Sequence, residues 1–413
     1  MGLGDLFKKI KNKVESDHEA LKSLDKVVNL GRLTDKGHII SSLVSVPPGR
    51  YRVKNNLLIR ESATFKLHPG VELYCDDRVC ISNKGVMLAE GTDEEDIKVT
   101  GYYDQKFGGI VHYGDVSSNS KLSHCNISHS KGLTLLELTN LLSISPKSIR
   151  TIHHNHNYGA LTFLDSSPKL KQNIIHNNTA YSGAAMMLIG NSSPTIDTLL
   201  VEKNKGQKEG AIYNESVGIP IFRSILFKKN ISGNLGGAFT NSGSGLMENC
   251  EFRNNNFSER GGAIGLFKEN KNHSVHVYIL NSVFAFNMAE NVAGAMHFER
   301  SRLHTEYGFI GYNGQDIRSF KDMLRAPLFP DQVNYKISLS NKVFVANRLK
   351  VIGNYAKKGG ALAATDVSVS LFNPNVMYCN SSHGDAGIQL LATPFTYKGT
   401  VIRPGQNNIA GRE

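Results

Sequence analysis

The sequence predicts an all-β fold: a right-handed, single-stranded parallel β-helix of about eleven coils, preceded by an N-terminal amphipathic helix. Three observations predict it. A unit of apolar-x-x-Asn followed by a Gly-Ala pair returns along most of the chain. The returning asparagines are mostly 22 to 27 residues apart. Between them, apolar residues come in pairs and triplets broken by Asn, Gly and Ser, without the three-to-four residue period of a helical repeat.

Residues 1–28 read as the amphipathic helix. Leu3, Phe7, Ile10, Val14, Leu21, Leu24 and Val28 lie on one seam. It can cap the open end of a stack, form a coiled coil or lie on a membrane surface. Capping is the reading adopted for 1–40, helix plus linker, because a solenoid end must be covered.

Strands are expected from about residue 43, and 41–115 is assigned to the N-terminal coils. Pro47-Pro48-Gly49 and Pro69-Gly70 mark turns. Tyr51 and Val53, Leu57 and Ile59, then Phe65 and Leu67 keep a period of two between them. No helical period intervenes there, which excludes βαβ units.

Residues 116–395 carry the repeats. The recurring asparagines are Asn155, Asn177, Asn204, Asn230, Asn255, Asn287, Asn313, Asn354 and Asn380. The long steps after Asn255 and Asn313 imply insertions near 265–280 and 314–345, and 396–413 reads as a tail. Coils stack roughly 4.8 Å apart, so equivalent side chains lie above one another. An Asn at one point of each coil can bond its copies above and below, and it tolerates a left-handed bend. The apolar residue three before it points inward. The Gly-Ala run, Gly236-Gly237-Ala238 for example, permits a sharp bend close to the core.

Composition narrows the function. A single compact core stops growing at roughly 250–300 residues, and a repeat architecture escapes that limit for this chain of 413. The net charge of +11 is scattered among acids and reads as solubility. No nucleic-acid-binding module is recognised, no run is long and apolar enough to span a membrane, and no cofactor is implied. Cys75 and Cys80 are close enough to pair across a turn, whereas Cys125, Cys250 and Cys379 read as buried fillers. Sequons at Asn126, Asn177, Asn191, Asn214, Asn230, Asn256, Asn272 and Asn380 fit glycosylation of a secreted chain, although no signal-peptide core is visible.

Glycan-cleaving β-helices need paired carboxylates, or calcium ligands with a basic residue. Asp76-Asp77 is an isolated pair with no counterpart one coil later. Ser382-His383-Gly384-Asp385 and Arg348-Leu349-Lys350 resemble fragments of polygalacturonase motifs without their Asp partners. His153, His154 and His156 lack a Cys or acid to complete a metal site and read as polar turn residues beside Asn155. No catalytic residue and no metal ligand are therefore assigned.

Over about residues 150–390, the pairing of apolar-x-x-Asn with Gly-Gly-Ala-Ile resembles the repeats of chlamydial polymorphic outer-membrane proteins, which are β-helical surface adhesins. The chain contains no equivalent of their C-terminal barrel. Tyr51-Arg52-Val53, Ala63 to Leu73 and Gly85 to Thr92 are similar to the opening coils of the animal bark beetle family, right-handed β-helix proteins of epithelial junctions. That family's Cys-rich scavenger-receptor and lectin-like modules are missing. The resemblance implies an extracellular or cell-surface scaffold for adhesion or recognition, related to cell–cell junctions, with a protein or glycan surface ligand. The alternative is a polysaccharide lyase or glycoside hydrolase acting on acidic glycans.

Overall fold

A computed structural model describes residues 32–146, 149, 157–256, 258–267 and 275–299, and beyond these the strand segments between 307 and 402. The helix expected over 1–28 lies outside the described residues. So do Asn155, Asn272, Asn313, Asn354, Asn380, Cys379, Arg348, His383, Asp385 and the histidines at 153, 154 and 156.

The chain is predominantly β, and its described residues form two long sheets of 13 and 22 strands and three two-stranded ones. Pairing between the strands is parallel, apart from hairpins at Arg32–Thr34 with Gly37–Ile40 and at Phe395–Tyr397 with Thr400–Ile402. Strands therefore begin at Arg32 rather than near residue 43, and the tail opens within a hairpin. Both long sheets run on past residues 115–116 without a break.

Successive passes of the chain stack in register. Ile175, Val201, Phe227, Phe252 and Phe284 are direct partners in the longer sheet, and all five are buried. Phe227, Phe252 and Phe284 stack face to face, with centroids 4.5 and 4.6 Å apart. Val201, Phe227, Phe252 and Phe284 form the inward column expected three residues before their asparagines, whereas before Asn177 it is Ile175 and not Ile174 that enters the column.

The asparagine ladder is present, with its register corrected. Its rungs are Asn178, Asn204, Asn230, Asn255 and Asn287, all buried. Each Oδ1 from Asn204 onward accepts the backbone N–H and the Nδ2 of the rung before it, at 2.9–3.1 Å. The second Nδ2 hydrogen goes to a core-strand carbonyl one pass back, as from Asn230 to Val201 at 2.8 Å. Asn177 is the bend residue instead, at φ 54°, followed by Lys203, Lys229, Asn254 and Phe286 at equivalent places. The left-handed conformation thus falls one position before the rung. An Asn-Asn pair gave two candidate frames, and packing of Ile175 beneath Val201 selects the second.

The stacking continues on either side of these rungs. Ser130 donates its amide to Asn178 Oδ1 at 2.9 Å, and Val283–Ala285 pairs with Lys350–Ile352. Ile264–Phe267 and Val275–Leu280 are strands of the two long sheets, as is Val343–Asn347.

An unforeseen excursion holds the one α-helix among the described residues, Leu135–Leu142. Thr134 caps it: its Oγ1 accepts from the Glu137 amide, and Glu137 Oε2 accepts from the Thr134 amide at 2.7 Å. Leu135, Leu138 and Leu142 pack with Cys80, Val111, Met187 and Ile189, covering part of the outward face of the 13-stranded sheet. Arg78 pairs with Glu137 at the helix start. At its end, the negative pole, Lys84 donates to Leu142 O at 2.8 Å and Lys36 to Asn140 O at 3.1 Å.

The Gly-Gly-Ala bends behave as their composition requires. Gly236 and Gly261 sit at φ +57° and +65°, and a Cβ on Gly237 would stand 2.3 Å from the Gly262 carbonyl oxygen. Cys75, Cys80, Cys125 and Cys250 are free and buried. The expected Cys75–Cys80 pairing is absent because the two lie on different sheets and in different apolar clusters.

Candidate recognition face

The longer sheet presents an outward face of its own. Alternation along its strands places one residue in two outward, and parallel stacking lines these up roughly 4.8 Å apart. One row runs Arg52, Tyr74, Thr100, Ser128, His176, Glu202, Lys228, Arg253. Two residues earlier, a second row runs Arg50, Glu72, Lys98, Asn126, Ile174, Leu200, Leu226, Glu251.

The first end of the face is cationic and aromatic. Arg52 grips Asp76 with two bonds of 2.8 and 3.1 Å and lies 4.0 Å from the Tyr102 ring centroid. Bonding to Asp76 raises the Arg52 pKa further. Glu72 accepts from Arg50 at 3.3 Å and from the Tyr74 hydroxyl. Lys98 stands 5.3 Å above the Tyr74 ring.

Further along, His129 contacts Thr100 Oγ1 and Ser128 Oγ at 3.2 and 3.1 Å. His176 Nε2 donates to Asn126 Oδ1, and its Nδ1 accepts from Asn177 Nδ2, both at 2.9 Å. Burial, and then His129 and two lysines, push its pKa down to about 4, so it is a neutral donor–acceptor at neutral pH. Ile174, Leu200 and Leu226 then form a small apolar cluster. Beyond it, signs alternate along a third row of Lys171, Asp197, Arg223 and Glu248. Arg223 bonds Glu248 at 3.1 Å, while burial holds the Glu248 pKa above its ordinary value.

The arrangement lines up fixed donors, acceptors and rings, of which Tyr74, Thr100, Ser128 and His176 are buried and Arg50, Arg52, Lys98 and Arg253 reach further out. Several of its acids are engaged: Asp76 by Arg52, Glu72 by Arg50, Glu248 by Arg223 and Glu202 by Lys228 at 3.7 Å, while Asp197 accepts from the Thr198 hydroxyl at 3.1 Å. Asp77, the other half of the acidic pair, accepts the Lys106 amide at 3.4 Å. Among the described residues no three His, Cys, Asp or Glu side chains gather as metal ligands. No described helix is long and apolar enough to cross a membrane.

Of the sequons, Asn191 is exposed and Asn126, Asn177 and Asn256 are half-buried. Asn214 and Asn230 are buried with Nδ2 engaged, which closes them to a glycan in the folded chain. Sequence reasoning missed two buried polar groups. Asn214 donates to Asn241 at 2.6 Å inside the stack. Glu209 accepts from Ser182 and pairs with Lys208 at 3.2 Å, with its pKa raised by burial. Asn241 and Ser182 each lie a full pass away in sequence, so neither of these two contacts is readable locally.

No family model, no curated protein and no solved structure matches the chain.

Proposed function

We propose that the chain winds as a right-handed, single-stranded β-helix of about eleven coils, and that it serves as a non-enzymatic recognition scaffold outside the cell or at its surface. Eleven coils at roughly 4.8 Å give a rod face about 50 Å long. The ligand is an extended glycan or a protein segment laid along the rows of the longer sheet, in an adhesion or junction role. The engagement of three acids of this face by arginines carries this reading. Glu72, Asp76 and Glu248 are each held by a guanidinium, which suits fixed recognition. Acid–base chemistry instead needs carboxylates free to exchange protons.

Incubating the purified chain with polygalacturonate, alginate and heparin, with and without calcium, tests the proposal. Saturable binding without products is the expected outcome, and binding should weaken in Arg52→Ala. Turnover of any of the three polymers would replace the scaffold with a glycan-cleaving enzyme.

A further inference from the structure

We propose that the cleft where the Leu135–Leu142 helix meets the first strands of the 13-stranded sheet binds a small monoanion, a carboxylate or sulfate ester carried on a compact body with an apolar face. The cleft lies on the other sheet from the recognition rows, so it stands or falls independently of them. Its volume is about 270 Å³, roughly that of nine water molecules at about 30 Å³ each, room for one ring-sized ligand.

The lining divides into an apolar floor and a cationic rim. Ile39 and Leu58, direct partners on neighbouring strands, form the floor, and Leu141 of the helix faces it. Lys36, Arg60 and Lys84 stand around the rim, with Asp35 as the one acid. The two lysines are fixed by the helix end. Lys36 donates to Asn140 O and Ser143 Oγ at 3.1 and 2.9 Å, and Lys84 to Leu142 O at 2.8 Å. An ammonium has three donors, so both lysines keep at least one for a ligand. Arg60 is exposed, and its guanidinium makes no hydrogen bond or ion pair among the described residues.

The charge balance favours an anion. Three cations are opposed by Asp35 and by a helix C-terminus worth about −0.5 charge, which leaves roughly +1.5. That suits one negative group and opposes a second cation. Arginine supplies the parallel pair of donors that a carboxylate or sulfate accepts. Ile39 and Leu58 add the preference for a body with an apolar side over a bare inorganic ion.

Ligand-observed NMR titration of the full chain with galacturonate, galactose 6-sulfate and neutral galactose tests this. The two anionic sugars should bind saturably, the neutral one should not, and their ratio tells carboxylate from sulfate ester. Arg60→Ala should weaken anion binding about ten-fold, or ~1.4 kcal/mol, with an unchanged circular dichroism spectrum because Arg60 holds nothing in place. Arg60→Glu should abolish it. Equal binding of galactose and galacturonate, undiminished binding in Arg60→Ala, or no saturable binding of either anion would overturn the proposal.

Discussion

Asn230→Ala removes one rung from the middle of the asparagine ladder, and the structure sets its cost. The Asn230 side chain makes four hydrogen bonds. Oδ1 accepts from the Asn204 amide at 3.0 Å and from Asn204 Nδ2 at 3.1 Å. Nδ2 donates to Val201 O at 2.8 Å and to Asn255 Oδ1 at 3.0 Å. Alanine leaves two donors of Asn204 buried without those partners, whereas Asn255 Oδ1 keeps the residue-230 amide. At roughly 1–3 kcal/mol for each orphaned donor, the loss is about 4 kcal/mol. Lys229→Gly is the matched control: Lys229 is exposed and holds the left-handed bend at φ 54°, so glycine there keeps the bend, touches no rung side chain, and its effect should stay within about 0.5 kcal/mol. Urea unfolding followed by circular dichroism measures both. Because solenoid contacts are made between neighbours, hydrogen exchange across 199–206 should also accelerate selectively in the alanine variant. A loss under ~1 kcal/mol for Asn230→Ala, or equal losses in the two variants, would refute the ladder as a structural spine.

Stability should fall on acidification below about pH 6.5, because His112 and His176 stay neutral in the fold, with pKa values lowered to about 3 and about 4, chiefly by burial. The unfolded chain takes up those protons first, so the loss begins near the unfolded pKa and continues down to the folded values; each histidine adds a slope approaching ~1.4 kcal/mol per pH unit. His112→Phe should remove its share of that slope in unfolding titrations at pH 4–7, and an unchanged slope would count against the buried neutral imidazole. Thr134→Ala strips the capping box from the Leu135–Leu142 helix and should cost about 1 kcal/mol, measured by thermal melting, with the Leu142 end of the helix exchanging faster. Cys75, Cys80, Cys125 and Cys250 should react with a thiol reagent only after unfolding, since burial raises every one of these thiols, Cys250 to about 12; rapid native labelling of any of them would contradict their placement.

Much of the fold was legible because its cause is local and repeated. Phe227, Phe252 and Phe284 each precede an asparagine by three residues, and each such Asn is a rung. Where the local pattern was ambiguous the reading slipped: at Asn177-Asn178 two frames fit equally until the packing of Ile175 decided. The helix announced itself only by Thr134, Glu137 and a run of leucines, a signal masked by the strand period on either side. The outward rows were not legible at all, because Arg52, Tyr74 and Thr100 are 22 to 26 residues apart and become neighbours only through strand register.

By itself, then, the sequence determined that this chain is β, repetitive, and organised around stacked asparagines and apolar columns, because side-chain alternation and turn chemistry act over a few residues. Only the tertiary structure decided which asparagines share a rung, which acids are neutralised by which arginines, and that Lys36, Arg60 and Lys84 gather at one cleft out of a charge that looked scattered. Those choices depend on register between distant passes of the chain, and register is set by packing across the stack.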